Sequence, residues 1–487
     1  MTTEDAEPGG TRHLAARWVV TGELELCSAA RLGGEAAAGD AADLVVLRDR
    51  ATDRPLLTGS TLAGALRAHL TDRLDQYAAG EHSPQVRALF GARRTDNHED
   101  AQQSPLITYD TCARDTSPAA EIRDGVALNT DTGTAHRHGK YDLEVLPAGT
   151  CWPLRVDLLV PADADEARLL GLLAAALGGL APGEIALGSR RSRGLGELAV
   201  ADWRARRYDL RLRQGWRDWL LSPAADPLAA ETAHDTVLAA LGAGGHRVDA
   251  TAADRRRRAV ITAEVELVGP LLVGSPGTQA DDPDAVHLTS AGRSVLPGTG
   301  LAGPLRARML RIARTQHPDD VADAVVNALC GSLEPDTSAG HGSRRAPRHR
   351  RHTAAASRLR VSERPLTGDV RVRGSRIELD RVTQGVIPGG LFTEEPVASG
   401  ALHLRLELRQ PRAGELGLLL LAVRDLLDGD VPLGGGAAIG RGVVRGAAEL
   451  SIDGRTIGLD STDPTDLEWL EDQVRQLVDL GAEAVSS

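Results

Sequence analysis

Aromatic residues make up only 2% of this 487-residue chain, and lysine occurs once, at Lys140. Its core must therefore be filled mostly by Leu, Val and Ala. Its positive charge is carried by arginine, whose planar fork suits bidentate phosphate contacts, although codon bias produces the same excess. The four cysteines (Cys27, Cys112, Cys151, Cys330) lie far apart with no C-x-x-C pair. That spacing excludes a structural zinc ribbon and leaves buried, inert thiols as the expectation. No apolar run is long enough to span a bilayer; the longest, around Leu169 to Leu180, is broken by glycines. The opening MTTEDAEPGG carries no basic-then-apolar signal, so a cytoplasmic protein with no membrane partner is expected. H-E-x-x-H is missing, as is any defensible Ser-His-Asp order.

Net charge is −12, which at first argues against nucleic acid. What matters more is where positive charge gathers. Acidic residues crowd the N-terminal tail, the segment after Leu220 and the C-terminal end, whereas arginines cluster at 190–193, 255–258 and 344–351.

Length suits two domains, and the chain repeats itself. RWVVTGELELC reads as a strand, followed by the loop RLGGEAAAGD, the short strand DLVVLRD, and LLTGSTLAGALRAHLTDRL as a loop feeding a helix. In that helix Ser60 or Thr61 is the expected N-cap, and Leu62, Leu66 and Leu70 share a face. Further along, AVITAEVELVGPLLVG and VLPGTGLAGPLRARMLRIA return in the same order, with Pro304 tolerable in a first helical turn. Each copy then ends in helix, glycine-arginine loop and strand: DEARLLGLLAAALG with EIALGSRRSRGLGELAV, and GELGLLLLAVRDLLD with VPLGGGAAIGRGVVRGAAEL. Between the halves sit LNTDTGTAHRHGKYDLEVLPAGT and LDRVTQGVIPGGLFTEEPVASGA. The expected division is an acidic tail over 1–16, a first domain over 17–205 and a linker with short helices over 206–258. A second domain over 259–455 and a C-terminal helix and tail over 456–487 follow, with Leu467, Leu470, Val474 and Leu477 as that helix's stripe.

The loop GSRRSRGLG surrounds three guanidiniums and two hydroxyls with glycines, which let a backbone approach phosphate closely. Gly188, Ser189, Arg190, Arg191, Ser192, Arg193 and Gly194 are therefore candidate phosphate contacts, against the alternative of a solvated surface turn. Gly435, Gly436 and Arg441 are their counterparts in GGGAAIGRG. The helix starts at Gly59 and Gly298 offer anion sites with Ser60 and Thr299, and Arg67 and Arg306 lie a turn or two beyond. His136 and His138 read as exposed loop histidines. Asp43, with Asp40 and Glu35 nearby, and the run containing Asp281, Asp282 and Asp284, could orient a metal or a 2′-hydroxyl.

Copy one, LGGEAAAGDAADLVVLRDRATDRPLLTGSTLAGALR, resembles the RAMP superfamily, in particular the backbone subunits of type III CRISPR effector complexes. SPLITYDTCA and SRLRVSERPL, NTDTGTA and DRVTQGVIP, and GSRRSRGLG resemble later family motifs in the same order. The resemblance implies an α+β protein of two tandem RRM-like (ferredoxin-like) domains, each with an inserted thumb β-hairpin. It implies guide RNA (crRNA), complementary target RNA and other effector subunits as partners. Asp43 falls on the family's RNA-cleaving aspartate, implying an endoribonuclease with transient Mg2+ or Mn2+. In copy two the matching position falls on Pro283, between Asp282 and Asp284, and the register stays open. Thr130, Thr134 and His136, with Arg381 and Thr383, are the implied thumb contacts. The competing readings are a scaffold without chemistry and a guide-processing nuclease using His136.

Overall fold

The computed structural model describes residues 13–34, 42–93, 103–128, 135–222, 228, 230–250, 253–275, 281–332 and 355–484. The first copy runs β1 (Leu14–Leu26), α1 (Gly59–Asp75), β2 (Leu106–Thr108), a hairpin of β3 (Glu121–Leu128) and β4 (Ala135–Val145), β5 (Cys151–Pro161), α2 (Glu166–Leu177) and β6 (Leu198–Asp209). A short helix, α3 (Arg213–Leu220), follows. The antiparallel sheet has the order β2-β5-β1-β6, the ferredoxin-like arrangement, with the hairpin inserted between β2 and β5.

The second copy repeats this plan with β7 (Arg258–Leu267), β8 (Ala285–His287), α4 (Gly298–Gln316), β9 (Leu359–Val361) and β10 (Arg364–Arg371). A hairpin of β11 (Gly374–Leu379) and β12 (Val386–Glu395), then β13 (Val397–Arg409), α5 (Glu415–Leu427) and β14 (Val444–Ile452), complete it. Its sheet order is β10-β13-β7-β14, with β9 also on β13. Registers coincide between copies: Val20 faces Val156 and Leu106 faces Leu158, as Ile261 faces Leu406 and Leu359 faces Leu408. The last helix, α6 (Pro464–Ala484), packs on α5, where Gly417 leaves room for the backbone of Gln473. Leu477 is buried there, but Leu467 is exposed and does not join the expected stripe.

Leu62, Leu66 and Leu70 of α1, and Leu301, Leu305 and Met309 of α4, are fully buried against their sheets. Each such side chain contributes about 1.5–3 kcal/mol of burial energy. The N-cap is Thr58, not Ser60 or Thr61: its Oγ1 accepts from the Thr61 amide at 3.2 Å. The helix starts one residue early because Gly59 lies against the Thr108 carbonyl, where a Cβ would come within 2.4 Å. Cysteine burial also differs from expectation. All four are free, and Cys27 is exposed because strand alternation turns it away from buried Leu26.

On β1, Val19 points away from the helices yet is buried, because Trp219 of α3, together with Tyr208 of β6, Leu210 and Leu228, covers that outer face. Trp219 meets Tyr208 edge-on at 5.4 Å and carries the Arg17 guanidinium 3.7 Å over its ring. Beneath them the fully buried Asp157 accepts from Arg17 Nε at 2.8 Å and Arg155 Nε at 3.0 Å. The residues read as linker thus close the sheet face on which an RRM-type domain could stack bases. The outer face of the second sheet presents exposed Glu264, Glu266 and Glu449, which repel phosphate.

The copies meet in a buried ionic junction. Glu363, just past β9, accepts from the Ala29 amide at 3.1 Å and from Arg123 of the first hairpin at 2.5 and 3.3 Å. Glu197 accepts the Ser362 hydroxyl and pairs with Arg364 at 3.3 Å. Glu121 accepts the Ala291 amide at 2.7 Å. Of the 255–258 cluster, Arg256 and Arg258 both bind Glu184, so they belong to the junction.

Beside it, His69 is buried on α1 with its Nε2 unbonded, and burial pushes its pKa down to about 4. A depressed histidine means that the unfolded chain takes up the proton first, so stability falls as pH drops below about 6.5. Between pH 7 and 5 this loss should reach about 2 kcal/mol. Urea unfolding of wild type and His69→Leu across that range checks it; equal slopes would disprove it.

Candidate nucleic-acid interface

The glycine-arginine loop joins α2 to β6. Gly188, at φ +82°, lies so close to the Arg31 carbonyl that a Cβ would come within 2.1 Å, and the Ser189 amide donates to that carbonyl at 3.1 Å. Arg190 then takes a left-handed conformation, φ 56°, and its guanidinium rests 4.5 Å over the Tyr141 ring while donating to the Tyr141 hydroxyl at 2.6 Å. Arg31 donates to Ser189 Oγ at 3.4 Å, its Nε is buried without a partner, and burial together with Arg190 lowers its pKa. Neither guanidinium is ion-paired among the described residues. Two neighbouring cations without a carboxylate form a site that an anion stabilises.

Arg191, Ser192 and Arg193 follow as a single 3-10 turn, with both arginines exposed. Gly194 is not open to RNA: it is buried against the Glu363 amide, where a Cβ would come within 2.3 Å. Arg31 and Tyr141 escaped the sequence reading. Arg31 stands outside the arginine clusters, and Tyr141 joins the loop only through the hairpin fold.

The second loop has the same backbone and a different surface. Gly434 nears the Leu272 carbonyl as Gly188 nears that of Arg31, and Gly436 takes the left-handed place of Arg190. Gly435 and Gly436 are exposed, but Ala437, Ala438 and Ile439 replace the Arg191–Arg193 turn. Arg441 is buried and consumed by Glu394 at 2.5 Å, so it is not a free cation.

Asp43 is exposed beside the first hairpin, where its Oδ2 accepts the Asp142 amide at 3.1 Å, and Leu44 pairs in parallel with Leu143. In the second copy Asp284 Oδ2 accepts the Thr393 amide at 2.7 Å, and Ala285 pairs in parallel with Glu394. These are the same contacts one copy later. Asp284 is therefore the counterpart of Asp43, and Asp282, two residues earlier, is not. Thr393 donates its hydroxyl as well, at 3.1 Å, and these bonds hold the Asp284 carboxyl below its ordinary range.

Among the described residues no group of three or more His, Cys, Asp or Glu could hold a metal. Glu35 and Asp40, read together with Asp43, lie outside the described residues.

The helix starts divide. Ser60 is exposed at the start of α1, while the Gly59 amide is taken by Asp110 at 2.7 Å. At α4, Thr299 is exposed, but Gly298 is buried beneath the Arg193 carbonyl of the first loop. Arg67 and Arg306 do not reach outwards. Arg67 grips Glu81 at 2.8 and 2.7 Å and the Gly91 carbonyl at 3.0 Å; Arg306 grips Asn327 at 2.5 Å and the Gly331 carbonyl at 3.0 Å. Their donors tie each first helix to the short helix that follows it and the residues beside it, Pro84–Phe90 in the first copy and Asp319–Cys330 in the second. At the second hairpin tip Arg381 is exposed, whereas Thr383 spends its amide and hydroxyl on Asp380. Thr130 and Thr134 lie outside the described residues, as do the side chain of His136 and the 344–351 cluster.

The family model of the RAMP superfamily matches residues 23–199 and 264–445, one span on each copy. The chain belongs to the RAMP superfamily. No curated protein matches it. RAMP proteins are in general CRISPR-associated RNA-binding proteins that form complexes with other Cas subunits. This RAMP protein carries two repeats, each with its own hairpin, glycine loop and hairpin-bound aspartate. No helix among its described residues is long and apolar enough to cross a membrane.

Proposed function

We propose that this RAMP protein is a guide-RNA-holding backbone subunit of a type III CRISPR effector complex. Complementary target RNA would lie along the guide, and Asp43 and Asp284 would act at its backbone. The observation that carries the reading is the Arg31–Arg190 pair: two adjacent guanidiniums, one on Tyr141, with no carboxylate between them. A backbone phosphate supplies the missing charge without regard to base identity.

Guide-RNA affinity, measured by fluorescence anisotropy over a salt series, tests this. Arg190→Ala should weaken binding about tenfold, uniformly across RNA sequences. It should also lower the log–log salt slope by about 0.7. Arg67→Ala, which disturbs only an internal clamp, should leave that slope unchanged. Equal slopes for wild type and Arg190→Ala would remove the loop from the interface.

A further inference from the structure

On β13, Arg405 and Glu407 alternate with the buried Leu404, Leu406 and Leu408, so both stand on the outer face of the second sheet. Arg360 of β9 lies opposite Glu407 on that face. Where the face meets the first repeat, Arg191, Arg360, Arg405, Glu197, Glu407 and Gly183 line a pocket, partly open to solvent and wide enough for one oxygen-sized group. Gly183 permits the approach of Arg405: it sits at φ +79°, and a Cβ would come within 2.9 Å of Arg405 Nε. Three guanidiniums thus share two carboxylates, and both carboxylates are already engaged. Glu197 accepts the Ser362 hydroxyl and pairs with Arg364 at 3.3 Å. Glu407 accepts Arg409 Nε at 2.8 Å and leaves Arg360 and Arg405 at 3.8 Å, too far for a hydrogen bond. Arg360 donates only to the Gly183 and Glu184 carbonyls, and burial, with Arg409 beside it, lowers its pKa. Among the described residues the side chains of Arg191 and Arg405 make no hydrogen bond, and Asp72 of α1 pairs with neither. The nearby Tyr77 hydroxyl, pushed up in pKa by burial and by Glu407, is also buried without a partner.

We propose that this pocket binds a phosphate-class oxyanion that bridges the two repeats, held by Arg191 from the first and by Arg360 and Arg405 from the second. One oxygen enters the pocket, and the others meet the exposed Arg191 at its mouth. Guanidiniums gathered with spare donors repel one another until an anion lies between them, and an oxyanion matches their planar forks. The anion thus supplies the charge that two engaged carboxylates withhold. The site is separate from the Arg31–Arg190 pair, because it needs both repeats, and Arg190 turns instead to Tyr141. Its phosphate comes from free solution or from a bound RNA; only the second source rests on the proposed function.

The test melts the full chain, without RNA, in inorganic phosphate and in chloride at matched ionic strength. Phosphate should raise the melting temperature with a saturating dependence on its concentration. The general stabilisation by an excluded salt does not saturate and is common to every variant. Arg191→Ala and Arg405→Gln should each weaken the apparent phosphate affinity about tenfold. Arg213→Ala, which removes an exposed arginine of α3, should leave it unchanged. In chloride Arg191→Ala should melt no lower than wild type, because it loses a repelled cation and no hydrogen bond. A wild-type response that does not saturate, or one that Arg191→Ala shares in full, would overturn the site. Melts in saturating single-stranded RNA separate the two sources, and either result upholds the site. A phosphate shift that persists assigns the pocket to the free ion. A shift that RNA replaces in wild type, and fails to supply in Arg191→Ala, assigns it to an RNA phosphate. Failure of RNA to bind would sink the functional reading and leave the phosphate result standing.

Discussion

Replacing Glu363 by alanine should lower the unfolding free energy by about 3–5 kcal/mol, the range for removing one partner of a buried ion pair. Glu363 is almost wholly buried and accepts three hydrogen bonds from the other repeat. Alanine would strand the buried Arg123 guanidinium and the Ala29 amide together. Glu363→Gln keeps an acceptor for Ala29 while losing the charge, so it should cost less than alanine. Arg123→Ala combined with Glu363→Ala should cost less than the sum of the two, because each single change already includes the stranded partner. Urea unfolding of wild type and the four variants measures these losses. With the junction broken, the two repeats should also unfold in separable steps. A loss below about 1 kcal/mol, the scale of an exposed pair, would show that water replaces the junction freely.

Asp43→Asn and Asp284→Asn should each abolish one product of target-RNA cutting, a loss of about 10²–10⁴-fold at that position. Asparagine suits the test because its carbonyl oxygen still accepts the Asp142 or Thr393 amide, so hairpin geometry survives while the charge goes. In the proposed step the carboxylate takes the proton of a 2′-hydroxyl, and that oxygen attacks the adjacent phosphorus. The bond to the 5′-oxygen breaks, leaving a cyclic phosphate and a 5′-hydroxyl that draws its proton from water. Asp284 carries an additional hydroxyl bond from Thr393, which makes it the weaker base, so its product should form more slowly. Gel analysis of end-labelled target in the reconstituted complex reads both products. Parallel runs in Mg2+, Mn2+ and EDTA test the ion dependence implied by the family resemblance. Unchanged products in both variants would leave the protein as a scaffold without chemistry.

The duplication was legible because it is written in order: strand, glycine turn, capped helix, second helix, glycine loop. Periodicity also identified the buried stripe of α1, since helical spacing alone places Leu62, Leu66 and Leu70 on one face. The same reading assigned Arg67, Arg306 and Arg441 to RNA, and the fold gives them internal partners. An arginine's type is visible in sequence; whether a carboxylate or carbonyl waits within reach depends on a loop brought in from elsewhere. The register of copy two was open for the same reason. Choosing between Asp282 and Asp284 needs the amide each one faces, and only the parallel pairing of Ala285 with Glu394 supplies it.

The sequence by itself determined two α+β repeats of one plan and their glycine loops, because local propensity and ordered motifs need no distant contact; the inserted hairpins and the choice of Asp43 were implied only by the family resemblance. Tertiary structure alone decided that α3 closes the first sheet, that Glu363 and Glu197 bind the repeats together, and that Arg31 joins Arg190. Each of these is a pairing of charged or aromatic groups far apart in the chain. Its energy exists only once both partners have been desolvated into the same place.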